Sequence, residues 1–356
     1  WIPGVAMLPA WETLPHERLS PRSDTVGRRL AVLRRLAGAG EEPAPRVVVA
    51  PVRSVLQPQV RGLAQMRPVR VQTGVDYDPS QLAADLVAAA YTRVDLVERR
   101  GEFAVRGGIV DIFPPTLEHP VRVDFFGDTV DEIRVFAVAD QRSGGETRAE
   151  VIAYPCRELL LTPQVRRRAA RLAEQHPELV EMLDRIAAGH AVDGMEALAP
   201  ALVDGLELLI DVVAPDTLVL VCDPELVRSR AIDLEATSQE FLQASWAAAA
   251  GGGQAPIDLG ASAYQPLAEV RSRALARGLL WWSLSPFAAA PDQQPDSSYA
   301  GDGELVDLSQ IAVDGVASRS LAAQSVEPWR GDSEAAVRDI RADITEGLAV
   351  VLTAEG

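Results

Sequence analysis

Residues 99–143 read RRGEFAVRGGIVDIFPPTLEHPVRVDFFGDTVDEIRVFAVADQRS, and their alternation decides both the local fold and the candidate surface. Side chains of a strand point alternately to its two faces. In Val121-Arg122-Val123-Asp124-Phe125-Phe126 this puts Val121, Val123 and Phe125 on one apolar face and Arg122, Asp124 and Phe126 on the other. Glu102-Phe103-Ala104-Val105-Arg106 sends Phe103 and Val105 inward and Arg106 outward, so pairing of the strands would bring Arg106, Arg122, Phe126 and Arg134 to one surface. Gly127-Asp128 marks the hairpin turn. Two readings of the outward face stand side by side. An exposed ring flanked by arginines has the composition of a docking hot spot, where truncating the ring costs about 2 kcal/mol or more. The plainer reading is a solvated face on which Asp124 and Glu132 pair off the arginines, with Phe126 packed beneath the preceding helix.

Outward from this segment the chain alternates short apolar runs with helical patterns, which predicts an α/β class. Val5–Leu8 and Val47–Ala50 read as buried strands. Asp24 to Leu36 reads as a helix capped by Ser23 or Asp24, and a second capped helix starts at Asp78-Pro79-Ser80. Beyond Tyr154 the pattern turns helical, with an Arg-rich helix from Pro163 and another near Leu179 to Ile186. A strand Leu218–Cys222 precedes a helix from Pro224 to Trp246. Ala247–Gly253 reads as a loop, Ala288 to Gly303 as a linker, and an amphipathic helix is expected from Ser333, followed by a closing strand.

Other candidate motifs are weaker. Gly107-Gly108 beside Arg106 is either a phosphate-cradling turn or, more simply, a bulge or close backbone approach. His16 and Glu17 offer an acid/base pair without a nucleophile at useful spacing, so a loop packed by Trp11 is the simpler account. Asp223-Pro224-Glu225 resembles an acidic Mg²⁺ motif, but a helix N-cap fits it better. Ser245-Trp246 and Trp281-Trp282 read as packing residues.

Composition narrows the function. The 356 residues exceed one ordinary core, and a formal net charge of −17 opposes attraction to nucleic acid unless a basic patch is focused locally. All 34 basic residues are arginine, and a phosphate-gripping GxxxxGK[ST] loop needs a lysine, which argues against ATP hydrolysis by this chain. Cys156 and Cys222 have neither metal-ligand nor disulfide spacing, which favours a reducing cytoplasm. The apolar start is too short to target or to span, so no membrane partner is expected. The missing initiator Met and the apolar run at Val350-Val351-Leu352 lead us to expect a piece of a longer protein.

The run Gly101-Glu102-Phe103-Ala104-Val105-Arg106-Gly107-Gly108-Ile109-Val110-Asp111-Ile112-Phe113-Pro114, with Val121–Asp128 and Gln141-Arg142-Ser143, resembles the module shared by the repair protein UvrB and the bacterial transcription-repair coupling factors. Trp11-Glu12-Thr13-Leu14-Pro15 with Leu19-Ser20-Pro21, Asp193-Gly194-Met195-Glu196-Ala197-Leu198 and Phe241-Leu242-Gln243-Ala244-Ser245-Trp246 are similar to the coupling factors, in their actinobacterial form. The resemblance implies a helicase-like (UvrB-like) α/β domain that has lost its nucleotide motifs, an inserted α+β module that binds UvrA, and a second α/β portion. The implied boundaries are 1–70, 71–153, 154–200, 201–325 and 326–356, the last being the start of a further domain. The implied UvrA-binding residues are Arg106, Arg122 and Phe126. No catalytic, cofactor or metal residue is implied here; ATP and Mg²⁺ would belong to a translocase region, and RNA polymerase and double-stranded DNA would be partners of the whole protein. The rival function is a nucleic-acid-binding module that uses the same Arg/Phe face.

Overall fold

The computed structural model describes residues 4–40, 42–251, 256, 263–285, 333–347 and 350. Residues 4–285 fall in one unit and α10 (Ser333–Thr345) in another, and each is described by itself. The chain is mixed α/β. It begins with β1 (Val5–Met7), α1 (Ser23–Leu36) and β2 (Val47–Val49), in which the two strands pair in parallel and α1 packs on one side. The expectation of buried strands is corrected here. Val5, Met7, Val47 and Val49 are all exposed, because the described residues cover only one face of this pair. The predicted cap of α1 also fails: Arg22 takes the N-cap position, and the Ser23 hydroxyl donates instead to the Arg100 carbonyl.

After α2 (Val52–Leu56), β3 (Gln59–Val60) and β4 (Val69–Gln72), helix α3 (Pro79–Ala88) starts where Asp78 accepts from the Ser80 amide and Pro79 presets the first turn. The arginine-bearing segment then builds β5 (Thr92–Arg93), β6 (Glu102–Arg106), β7 (Ile109–Ile112), β8 (Val121–Phe126), β9 (Thr129–Phe136) and β10 (Ser143–Thr147). They form one six-stranded sheet in the order β10-β9-β8-β7-β6-β5. β11 (Glu150–Ala153) pairs antiparallel with β4. Phe103, Val110, Ile112, Val121, Val123, Val130 and Ile133 are all buried against α3, β4 and β11; alternation places those of β6, β7 and β8, and a register shift at Asp124/Phe125 lets Val130 and Ile133 of β9 share the same face.

A helical lobe follows, α4 (Pro163–Ala173), α5 (Val180–Ala188) and α6 (Ala199–Leu202), with its own core around Leu183, Ile186 and Leu198. Two sequence motifs meet at its base. The Ser20 hydroxyl donates to Glu196 at 2.6 Å and accepts from the Gly194 amide at 2.9 Å, while Arg157 donates to both Ser20 and Glu196. Gly194 sits at φ +78°, and a Cβ there would lie 2.6 Å from Arg18 Cα, so this close approach needs glycine.

The second α/β portion holds β12 (Leu206–Glu207), α7 (Leu209–Val212), β13 (Leu218–Cys222), α8 (Pro224–Ala250), α9 (Leu267–Ala276) and β14 (Leu280–Leu284). Asp223 caps α8 by accepting from the Leu226 amide, the role expected over Mg²⁺ binding. Two expectations change in this region. The alanines after Trp246 extend α8 to Ala250 instead of forming a loop, consistent with their helix propensity. Trp246 and Trp282 are exposed, while Trp281 packs on the core. The linker at 288–303 lies outside the described residues, as does the closing strand apart from Val350.

One buried charge network ties these parts together. Arg29 of α1 donates to Glu158 Oε1 at 2.6 Å, to the Pro9 carbonyl at 2.8 Å and to Gln59 Oε1 at 3.0 Å, and the Trp11 indole donates to the same Glu158 oxygen. No described helix is long and apolar enough to cross a membrane.

Candidate partner-binding face

Register carries the pleat argument across four strands. Ala104, Asp111, Arg122 and Arg134 lie abreast, and the next outward row is Arg106, Ile109, Asp124 and Glu132. Two residues further along β8, Phe126 lies opposite Thr129 at the mouth of the Gly127-Asp128 turn. Arg106 and Ile109 likewise flank a two-residue turn, Gly107-Gly108, where a bulge was the simpler expectation. Close backbone approach does hold, since the Phe125 amide donates to the Gly108 carbonyl at 2.9 Å.

Burial grades along this outward face. At one end Val97, Ala104, Phe113 and Phe136 form a small covered core. At the other, Phe126 is 84% exposed and does not pack beneath α3. Between them lies Asp111, a residue that the sequence reading did not single out, with a side chain only 1% exposed. Its Oδ1 accepts from Arg122 Nε at 2.7 Å, and its Oδ2 accepts from Arg122 Nη2 at 2.9 Å and Arg106 Nη2 at 2.5 Å. Hydrogen bonding to Asp111 pushes the Arg122 guanidinium above its ordinary pKa, although burial pulls the other way. Arg122 also lies over the Phe136 ring, 4.9 Å from its centre.

The plainer expectation about ion pairing holds in part. Asp124 and Glu132 pair with Arg134 (2.7 and 3.4 Å), not with Arg106 or Arg122, which share Asp111. The side chain of Arg106 is 47% exposed and that of Arg122 17%, so only Arg106 reaches well into solvent. Asp111 carried a signal of its own: Val110 and Ile112 are inward by alternation, which forces a carboxylate outward between two arginine-bearing strands. The register that joins the three strands was the missing fact.

Elsewhere the candidates dissolve into structure. Glu17 accepts from the Leu14 amide and closes a turn. Trp11 is buried, as expected of a loop packed by its ring. Among the described residues no group of three or more His, Cys, Asp or Glu side chains is placed to hold a metal ion.

Comparison with known proteins centres on the same sheet. Residues 69–158 match the family described as the UvrB interaction domain. The transcription-repair-coupling factor of Mycobacterium tuberculosis is 53% identical over 79% of this chain, and that of Bacillus subtilis 40% identical over 47%. A shorter stretch, 18% of the chain, is 46% identical to the UvrABC system protein B of Bacillus cereus. The chain spans about a quarter of the length of the mycobacterial relatives, 24%. Over most of its length the chain is thus similar to part of the mycobacterial transcription-repair-coupling factors, and the sheet that carries Arg106, Asp111, Arg122 and Phe126 lies within the stretch that matches the UvrB interaction domain.

Proposed function

We propose that this chain is the UvrA-recruiting, non-catalytic region of a transcription-repair coupling factor, and that Arg106, Arg122 and Phe126 form its UvrA-binding face. The observation that carries this reading is the exposed Phe126 ring on the one sheet face that also holds the arginines. Burying such a ring gains roughly 1.5–3 kcal/mol, and Arg106 keeps N–H groups that Asp111 does not use, ready for a partner's carboxylate. Arg122, tied to Asp111 through two nitrogens, acts chiefly as a brace.

The wider assignment follows the same reading. The parallel pairs β1–β2 and β13–β14, each with helices packed on one face, fit two helicase-like portions that flank an inserted module at 71–153. The remaining boundaries of that division are 1–70, 154–200, 201–325 and 326–356. In the longer protein, working in the cytoplasm, this part brings UvrA to damaged DNA where an ATP-driven motor displaces stalled RNA polymerase. Titration of UvrA into the chain tests the assignment. Arg106→Ala is expected to weaken binding by about tenfold, the scale of one charge-assisted hydrogen bond. Single-stranded DNA at physiological salt is expected not to bind. Undiminished UvrA affinity in the Arg106→Ala, Arg122→Ala, Phe126→Ala triple variant would remove the assignment, and DNA binding lost in that variant would replace it with the nucleic-acid reading.

A further inference from the structure

We propose that Asp111 is the positioning residue of this face: a buried carboxylate that holds Arg106 and Arg122 in one fixed arrangement before any partner arrives. The inference rests on the UvrA reading of the same face and adds to it a residue that touches no partner. Three features carry it. The Asp111 side chain is 1% exposed, so it cannot itself be a contact, yet both of its oxygens are engaged by guanidinium groups from the two neighbouring strands. Arg122 meets it fork to fork, a planar geometry that fixes the orientation as well as the distance of a guanidinium. Arg106 gives it one terminal guanidinium nitrogen and stays half in solvent, so its head group is tethered at one point while it keeps N–H groups that Asp111 does not use.

Charge explains why one carboxylate serves two cations. Asp111 with two arginines leaves one net positive charge at this place on a chain of formal net charge −17, while Arg134 with Asp124 and Glu132 leaves one net negative charge beside it. The face thus offers a partner a positive and a negative site side by side, each spanning the same two rows of the sheet. A long cation left mobile on a surface must be ordered on binding. Holding Arg106 in advance avoids a loss worth roughly three- to tenfold in affinity.

The test uses the full chain, with UvrA as titrant and Asp111→Asn as the variant; Asp111→Ser is the second variant should the first not fold. The expected result is a three- to tenfold loss of UvrA affinity in the wild-type background, the same loss beside Phe126→Ala, and less than about a twofold loss beside Arg106→Ala and Arg122→Ala together. A residue that merely supports the fold would exact its cost in every background. A second readout does not involve UvrA: the Arg122 side-chain Nε–H is expected to exchange slowly with solvent in the wild type and much faster in either Asp111 variant. Full affinity in both variants, or an equal loss with and without the arginines, would overturn the positioning role while leaving the UvrA reading intact. Failure of the wild-type chain to bind UvrA would overturn that reading instead, and the Arg122 exchange rate would then decide the role of Asp111 alone.

Discussion

Phe126→Ala is expected to lower the affinity for UvrA by about thirtyfold or more, ~2 kcal/mol, with no measurable loss of thermal stability. The ring is 84% exposed, so the folded chain has little packing to lose when it is removed. Its neighbour Phe125 is the control, because alternation turns that ring toward the core of the sheet, where it packs beside Val123 and Val130. Phe125→Ala is expected to reverse the pattern: stability falls by an amount on the scale of other truncations of packed rings, reduced by its partial exposure, and the UvrA affinity of the folded protein changes little. Titration calorimetry with UvrA, alongside thermal melts of both variants, reads the two effects separately. A Phe126→Ala chain that binds as tightly as the wild type would show that the ring has some other purpose.

Arg29→Ala is expected to destabilise the chain by about 3–5 kcal/mol, the scale on which removing one partner strands the other in a buried ion pair. The side chains of Arg29 and Glu158 are 2% and 1% exposed, so neither can recover its hydration. Arg29 also supplies the hydrogen bonds that hold the Pro9 carbonyl and Gln59, which makes it the tie between α1, the exit of β1 and β3. Replacing both charges with apolar residues of similar volume, Arg29→Met with Glu158→Leu, is expected to recover most of the loss. Urea denaturation of the single and double variants checks this. A double variant as unstable as Arg29→Ala would point to the lost Pro9 and Gln59 hydrogen bonds, not to the stranded carboxylate, as the main cost.

Both residues were legible in the sequence to different degrees, for physical reasons. Alternation within one strand is a local property, so the outward placement of Arg106, Arg122 and Phe126 was available from the residues alone. The pairing of charges depends on register between strands, which is non-local, and Asp111 was missed on that account. Arg29 lies three residues after Val26 and four before Leu33, both buried, so helical spacing put it on the apolar stripe of α1. Its resemblance to the neighbouring Arg28, which is exposed, hid that signal. Apolar runs misled in the other direction. Val5–Leu8 and Val47–Ala50 look like strands covered on both faces, whereas the described residues cover one, because the sequence of a strand shows what it can bury and not what is present to bury it.

The measurement that bears most directly on the central claim is amide hydrogen exchange of the chain with and without UvrA. The expected result is new protection confined to residues 106–109 and 124–129, the two turns and the strand ends that flank Phe126. Protection that leaves these residues unchanged, and appears instead at β13 and β14 or on the helical lobe, would contradict the assignment of this sheet face as the surface that recruits UvrA.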